Sequence, residues 1–180
     1  MRSKCITQHT VVGLEGGEFL LHPEADAIME WFKENHPKYT LLSNCLSPQK
    51  VIDAVRKFQP AHLYVSLDGN KETYKNMRGC NGHDKVMEVV KAVKDDIPVS
   101  LMFCLSPWNT FSDMQYVIDI AKNYGIDVRI GIYGTMDFFD TKAELLSVDF
   151  ANYIQSIPQN IHETEENFDF VALYEEWRNG

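Results

Sequence analysis

The chain is short of cysteine, of positive charge and of long apolar runs, and each shortage closes off a class of function. Of its 180 residues four are cysteine, Cys5, Cys45, Cys80 and Cys104, and no two lie closer than 24 positions. That spacing leaves no zinc finger and no paired redox motif, so in a reducing compartment each thiol reads as a single core or loop residue. Lysine and arginine number 17 against 26 acids, for a formal charge of −9. An acidic chain whose basic residues are scattered singly repels a polyanion, which excludes nucleic acid as a direct partner. No apolar stretch approaches the ~20 residues that span a bilayer, and the opening Met1-Arg2-Ser3-Lys4-Cys5-Ile6-Thr7-Gln8-His9 has no signal-peptide core. The expectation is a cytoplasmic protein with no membrane partner. Internal repeats and low-complexity tracts are absent as well.

What is present is ordinary globular material, 44% apolar and 24% charged, enough for one domain with its own core. Four apolar stripes at helical spacing begin at Ala25, Val51, Val86 and Val117. Ser47-Pro48 offers a capping hydroxyl and a proline at the first helical position, and Thr110 with Asp113 three residues on resembles a capping box. Between the stripes lie short runs rich in β-formers: Thr10–Leu14, Tyr39–Leu42, His62–Leu67, Val99–Phe103 and Asp127–Ile132. Strands alternating with helices every 25 to 35 residues or so are what parallel crossovers require. The fold class expected is therefore α/β, with five parallel strands in sequence order and the helices on one outer face. After Gly134 this rhythm is lost, and residues 141–180 read as a trailing helical connection with an acidic solvated face around Glu163, Glu165 and Glu166.

In parallel sheets ligands bind beyond the carboxyl ends of the strands. Those ends are polar: Glu15-Gly16-Gly17-Glu18, Ser43-Asn44-Cys45, Ser66-Leu67-Asp68-Gly69, Leu105-Ser106-Pro107-Trp108-Asn109 and Tyr133-Gly134-Thr135. A phosphate loop wants a helix starting at once and often a lysine, whereas here a carboxylate follows the glycines and the helix waits until after Pro23. The pattern suits a cation: glycines admit a ligand close to the main chain, and carbonyls plus Glu18 accept hydrogen bonds from an ammonium. Read singly, two glycines also serve a plain strand-to-helix turn, Ser43 and Asn44 open a turn toward Ser47, and Asp68-Gly69 is a common turn dipeptide. Arg78 reads either as a solvated surface residue or as the partner of a carboxylate. Trp108 reads as a cavity roof or a packing anchor, and His22 as a turn residue. No general acid or base, and no metal ligand, is assigned.

Taken in order, Leu14 to Glu24, Leu42-Ser43-Asn44 and Val65-Ser66-Leu67-Asp68-Gly69 resemble the second-, third- and fourth-strand motifs of radical S-adenosylmethionine enzymes. The resemblance runs over roughly residues 10 to 135. It implies a partial barrel, strands two to six of that fold, over residues 1–140, open at the first-strand edge. It also implies that Gly16, Gly17 and Glu18 receive the amino group of S-adenosylmethionine. Ser43, Asn44, Ser66 and Asp68 would line the cofactor or substrate cavity, and Ser106 and Tyr133 would face the adenosine. The departure is as clear: the C-x3-C-x2-C loop that ligates the family's [4Fe–4S] cluster is missing, so a cluster belongs to a longer parent enzyme only. The expectation is a truncated core, inactive alone, of a radical oxidoreductase or maturase acting on a peptide or small molecule. The exposed edge would favour self-association. The alternatives are a non-catalytic nucleotide-binding half-barrel or partner subunit, and an aldolase-like barrel, which would need a Schiff-base lysine that none of the five runs contains.

Overall fold

The structure, a computed structural model, describes residues 7, 9–106 and 108–132. Pro107, Tyr133 and the expected trailing segment 141–180 lie outside the described residues. In chain order the elements are β1 (Val12–Leu14), a single 3-10 turn (Phe19–Leu21), α1 (Ala25–Asn35), β2 (Tyr39–Ser43), α2 (Pro48–Phe58), β3 (His62–Ser66), α3 (Lys71–Arg78), α4 (His83–Val93), β4 (Val99–Leu105), α5 (Phe111–Tyr124) and β5 (Asp127–Ile132).

The five strands form one open, wholly parallel sheet in the order β1-β2-β3-β4-β5. Right-handed crossovers between neighbours taken in sequence order carry every helix to the same face. Tyr39 shows this locally: its ring lies 5.4 Å from Phe32 of α1, and its hydroxyl donates to the Phe58 carbonyl of α2. Leu41, Leu63, Val65, Leu101, Phe103 and Leu105 are buried, and between the helices Val51, Val55, Val86, Val90 and Val117 complete the core. This is the α/β sheet expected from the alternating pattern, unclosed and consistent with part of a barrel.

Boundaries moved for local reasons. β1 begins at Val12 rather than Thr10, because the Thr10 amide closes a turn onto the Thr7 carbonyl and its own carbonyl bonds the His36 ring at 2.6 Å. β4 runs two residues past its apolar core to Leu105. Ser47 does sit at the start of α2, with Pro48 at the first helical position, but its hydroxyl caps nothing. The Thr110 and Asp113 box is complete, each side chain accepting the other's backbone N–H.

Helix α3 was not anticipated. Only Tyr74 of its eight residues is buried, so no apolar stripe marks it. Its ends are marked instead: the Asn70 side chain accepts from the amides of Glu72 and Thr73, and Gly79 takes the left-handed cap at φ 67°. α3 is fastened to α5 through Asp113, whose Oδ1 accepts from Asn70 Nδ2 at 2.8 Å. Gly69 makes this approach possible, since its φ is +140° and a Cβ there would fall 2.6 Å from Asp113 Oδ1.

Two substitutions should separate in sign. Gly69→Ala should lower stability by about 2 kcal/mol, through both backbone strain and collision. Tyr74→Phe should leave stability unchanged or raise it by about 1 kcal/mol, because the Tyr74 hydroxyl is buried without a hydrogen-bond partner among the described residues. Urea unfolding of both variants beside the parent checks this.

Candidate functional site

The carboxyl ends of the strands gather the residues picked from sequence into two clusters. At the ends of β1 and β2, the chain leaves Leu14, turns through Gly16 at φ 119° and returns so that Glu18 meets β2. Glu18 Oε1 accepts from the Ser43 hydroxyl at 3.0 Å, and Oε2 from the Asn44 amide at 2.8 Å. The carboxylate is thereby fixed by one bond to each oxygen, which leaves each a lone pair for a further donor. Ser43 also accepts from the Cys45 amide, and the Asn44 side chain from the Leu46 amide, so the β2 end is a tightly bonded bend. Cys45 sits there at φ 56°, an uncommon conformation for a residue with a side chain. Beside Glu18 lies a recess of about 90 Å³, lined among others by Leu20, Asn44, Ser47 and Lys50.

The second cluster closes the ends of β3 and β4. Asp68 is buried, and its carboxylate meets Arg78 Nε at 2.5 Å. α3 creates this pair by carrying Arg78 back over the loop that follows β3, so Arg78 is the partner of a carboxylate while its side chain stays partly in solvent. Ser106 is buried too, its amide and hydroxyl both donating to Asn109 Oδ1. Asn109 Nδ2 in turn donates to the carbonyls of Cys104 and Asp68, which ties the end of β4 to the loop after β3. Ser66 is half-buried on the sheet face away from the helices.

Glu18, Ser43 and Asn44 are thus directly bonded together, whereas Asp68 and Ser106 belong to the other cluster, where Asp68 Oδ2 pairs with Arg78 and both Ser106 donors go to Asn109. Gly16 and Gly17 are exposed in the turn, and Tyr133 lies outside the described residues. Asp113, expected as half of a capping box, also accepts from Asn70 and so fastens α3 to α5. Asn109, three residues after Ser106 in the strand-end string and given no role there, holds the end of β4 in shape.

Neither Cys45 nor Cys104 is poised for chemistry. Burial pushes Cys45 up to about 12, and burial followed by the Asp68 charge raises Cys104. Asp113 goes the other way: burial opposes its ionisation, but hydrogen bonds from Thr110, Thr73 and Asn70 prevail and depress its pKa.

No protein-family model matches the chain, and no curated protein is similar to it. The site is therefore read from its own geometry.

Two outcomes follow. A depressed carboxyl contributes stability that is complete above its unfolded value of about 3.9 and is lost as pH falls through the lower folded value. Asp113→Asn should therefore destabilise the protein at pH 7 and flatten the acid limb of its stability curve below about pH 4, as read by thermal melts across pH. Arg78→Met should cost roughly 2 kcal/mol, less than a fully buried pair because Arg78 is 36% exposed. Adding Asp68→Asn should recover most of that loss in urea unfolding.

Proposed function

We propose that this chain is the S-adenosylmethionine-binding part of a radical S-adenosylmethionine enzyme. In this view the ends of β1 and β2 receive the amino-acid head of the cofactor. Gly17 supports this most. Gly16 is required by its backbone angle, but Gly17 has no such angle, and a Cβ built on it meets no atom within 4 Å. Nothing in the turn itself demands a glycine there, while a ligand laid against the main chain beside Glu18 would.

Glu18 is suited to an ammonium. Ser43 and Asn44 fix its orientation before any ligand arrives, so little reorganisation accompanies binding. Arg78 supports a carboxylate in the same way: Asp68 anchors its Nε, and none of its other nitrogens is hydrogen-bonded to a described residue. The recess beside Glu18 is of a size for an amino-acid head group and not for a whole nucleoside, so the adenosine would lie outside it. Bound S-adenosylmethionine would supply a sulfonium whose carbon–sulfur bond, broken by one-electron reduction, yields a thioether and the carbon radical that starts the chemistry.

A [4Fe–4S] cluster needs closely spaced thiolates, and the sequence has no C-x3-C-x2-C loop to supply them. Among the described residues no three cysteine, histidine or acidic side chains gather, and Cys45 is fully buried. No redox step is therefore derived. The chain would act as a binder: part of a radical oxidoreductase or maturase working on a peptide or small molecule, or a subunit that pairs with a cysteine-bearing partner. β1, which has β2 alone as neighbour among the described residues, offers the edge for such pairing or for self-association.

Calorimetric titration of the purified chain with S-adenosylmethionine should show one saturable site. Gly17→Ala should weaken it at least tenfold without changing the thermal melt, and Glu18→Gln should weaken it similarly. Anaerobic reconstitution with iron and sulfide should leave the chain without a stoichiometric cluster. Absence of binding by the parent chain, or unchanged binding by Gly17→Ala, would overturn the proposal.

A further inference from the structure

The sheet face turned away from the helices carries an arrangement that the cofactor site does not use. Along β3 burial alternates: Leu63 and Val65 are fully buried under the helices, while His62, Tyr64 and Ser66 are half-buried on the opposite side. His62 stacks on one face of Tyr64, with ring centroids 4.4 Å apart and 22° between planes, and shares a hydrogen bond of 2.7 Å with the Ser100 hydroxyl of β4.

The other face of Tyr64 is taken by Arg129, whose guanidinium carbon lies 4.4 Å from the ring centroid. Strand register aligns Arg129 with Met102 and Met102 with Ser66. To reach Tyr64 from β5, the arginine therefore lies across β4, one side-chain row nearer the carboxyl ends than the ring it covers. The guanidinium lies over the Tyr64 ring, which His62 backs, and Ser66 and Met102 occupy the register row from which Arg129 starts.

This cation is held but not neutralised. Arg129 forms no ion pair with a described residue, and no hydrogen bond of its guanidinium to one is found. It is the single basic residue that strand alternation puts on this face. Burial, then the charge of Arg129, lowers the pKa of His62, so the imidazole is neutral at pH 7 and adds no second positive charge. Asp127, on the same face of β5, lies one row further from the carboxyl ends, level with Ser100 and Tyr64.

We infer that Arg129, braced on Tyr64, is a binding site for the carboxylate of a small organic acid that enters from the carboxyl ends of the strands. A guanidinium with its plane supported by a ring presents paired N–H donors that match two carboxylate oxygens. One cation with Asp127 nearby suits a monoanion better than a phosphate dianion, which would want further positive charge and meet repulsion. Met102 offers the acid an apolar surface beside the fork. The site rests on this face alone and not on the S-adenosylmethionine proposal.

The test is a titration of the full ¹⁵N-labelled chain with benzoate, with benzamide as the neutral isostere and inorganic phosphate as the dianion. Benzoate should shift the amides of Tyr64, Ser66, Met102 and Arg129 saturably, and at least tenfold more tightly than benzamide or phosphate. Arg129→Gln should abolish the benzoate response, and Arg129→Lys, which keeps the charge and loses the fork, should weaken it. Gly17→Ala should bind benzoate as the parent does, which separates this site from the cofactor site. Equal responses to benzoate and benzamide in the parent chain, tighter binding of phosphate, or an undiminished response in Arg129→Gln would overturn the proposal.

Discussion

A parallel sheet whose strands follow the order of the sequence can be covered by its own crossover helices on one face only. That constraint governs the rest of the molecule. It explains why β3 alternates between fully buried Leu63 and Val65 and half-buried His62, Tyr64 and Ser66, although buried parallel strands more often read as continuous apolar runs. Among the described residues no helix lies against the second face, where side chains pack on one another. His62, Tyr64 and Arg129 stack across three strands, and Ser100 meets the His62 ring.

The carboxyl ends are held together by side chains more than by the sheet ladder. Glu18 bonds β1's outgoing turn to β2, Asn109 bonds the end of β4 to the loop after β3, and Asp113 bonds α5 to the cap of α3. Each bridge uses an acid or amide with both oxygens or both functions engaged. Bonds of this kind are worth little net when formed, and removing one partner leaves a buried polar group unmatched. The loops at this end are consequently placed by satisfied polar networks, which rigidify a site as well as stabilise it.

The strands and four of the helices were legible because each buries an apolar pattern whose period survives in the sequence. α3 was not, because a helix that buries only Tyr74 has no period to display. Missing α3 had a further consequence for Arg78, which reads as a solvated arginine ten positions after Asp68 until a helix turns the chain back over that loop. Ser47 shows the converse: a capping residue in the right place, with Pro48 behind it, whose hydroxyl the helix does not use. Ser106 was picked because of its place after β4, and its place was right. What sequence could not show is that Asn109 takes both of its donors, so that its polar atoms face inward rather than toward a ligand.

Glycines divide the site between fold and ligand more sharply than the polar residues do. Gly69 is explained twice over by its positive φ and by Asp113, and Gly82 is explained by contact, since a Cβ there would fall within 3.0 Å of both Leu46 and Tyr74. Gly16 is explained by its φ of 119°. These three would be glycine in a protein that bound nothing. Gly17 alone in this group is free of conformational demand and of neighbours, and it stands one residue before the carboxylate that β2 fixes in place. A position the fold leaves unconstrained, next to a carboxylate it holds in place, suits the main-chain approach of a bound cation that we propose, and for that reason the β1 and β2 ends weigh more in that proposal than the cluster around Asp68 and Ser106.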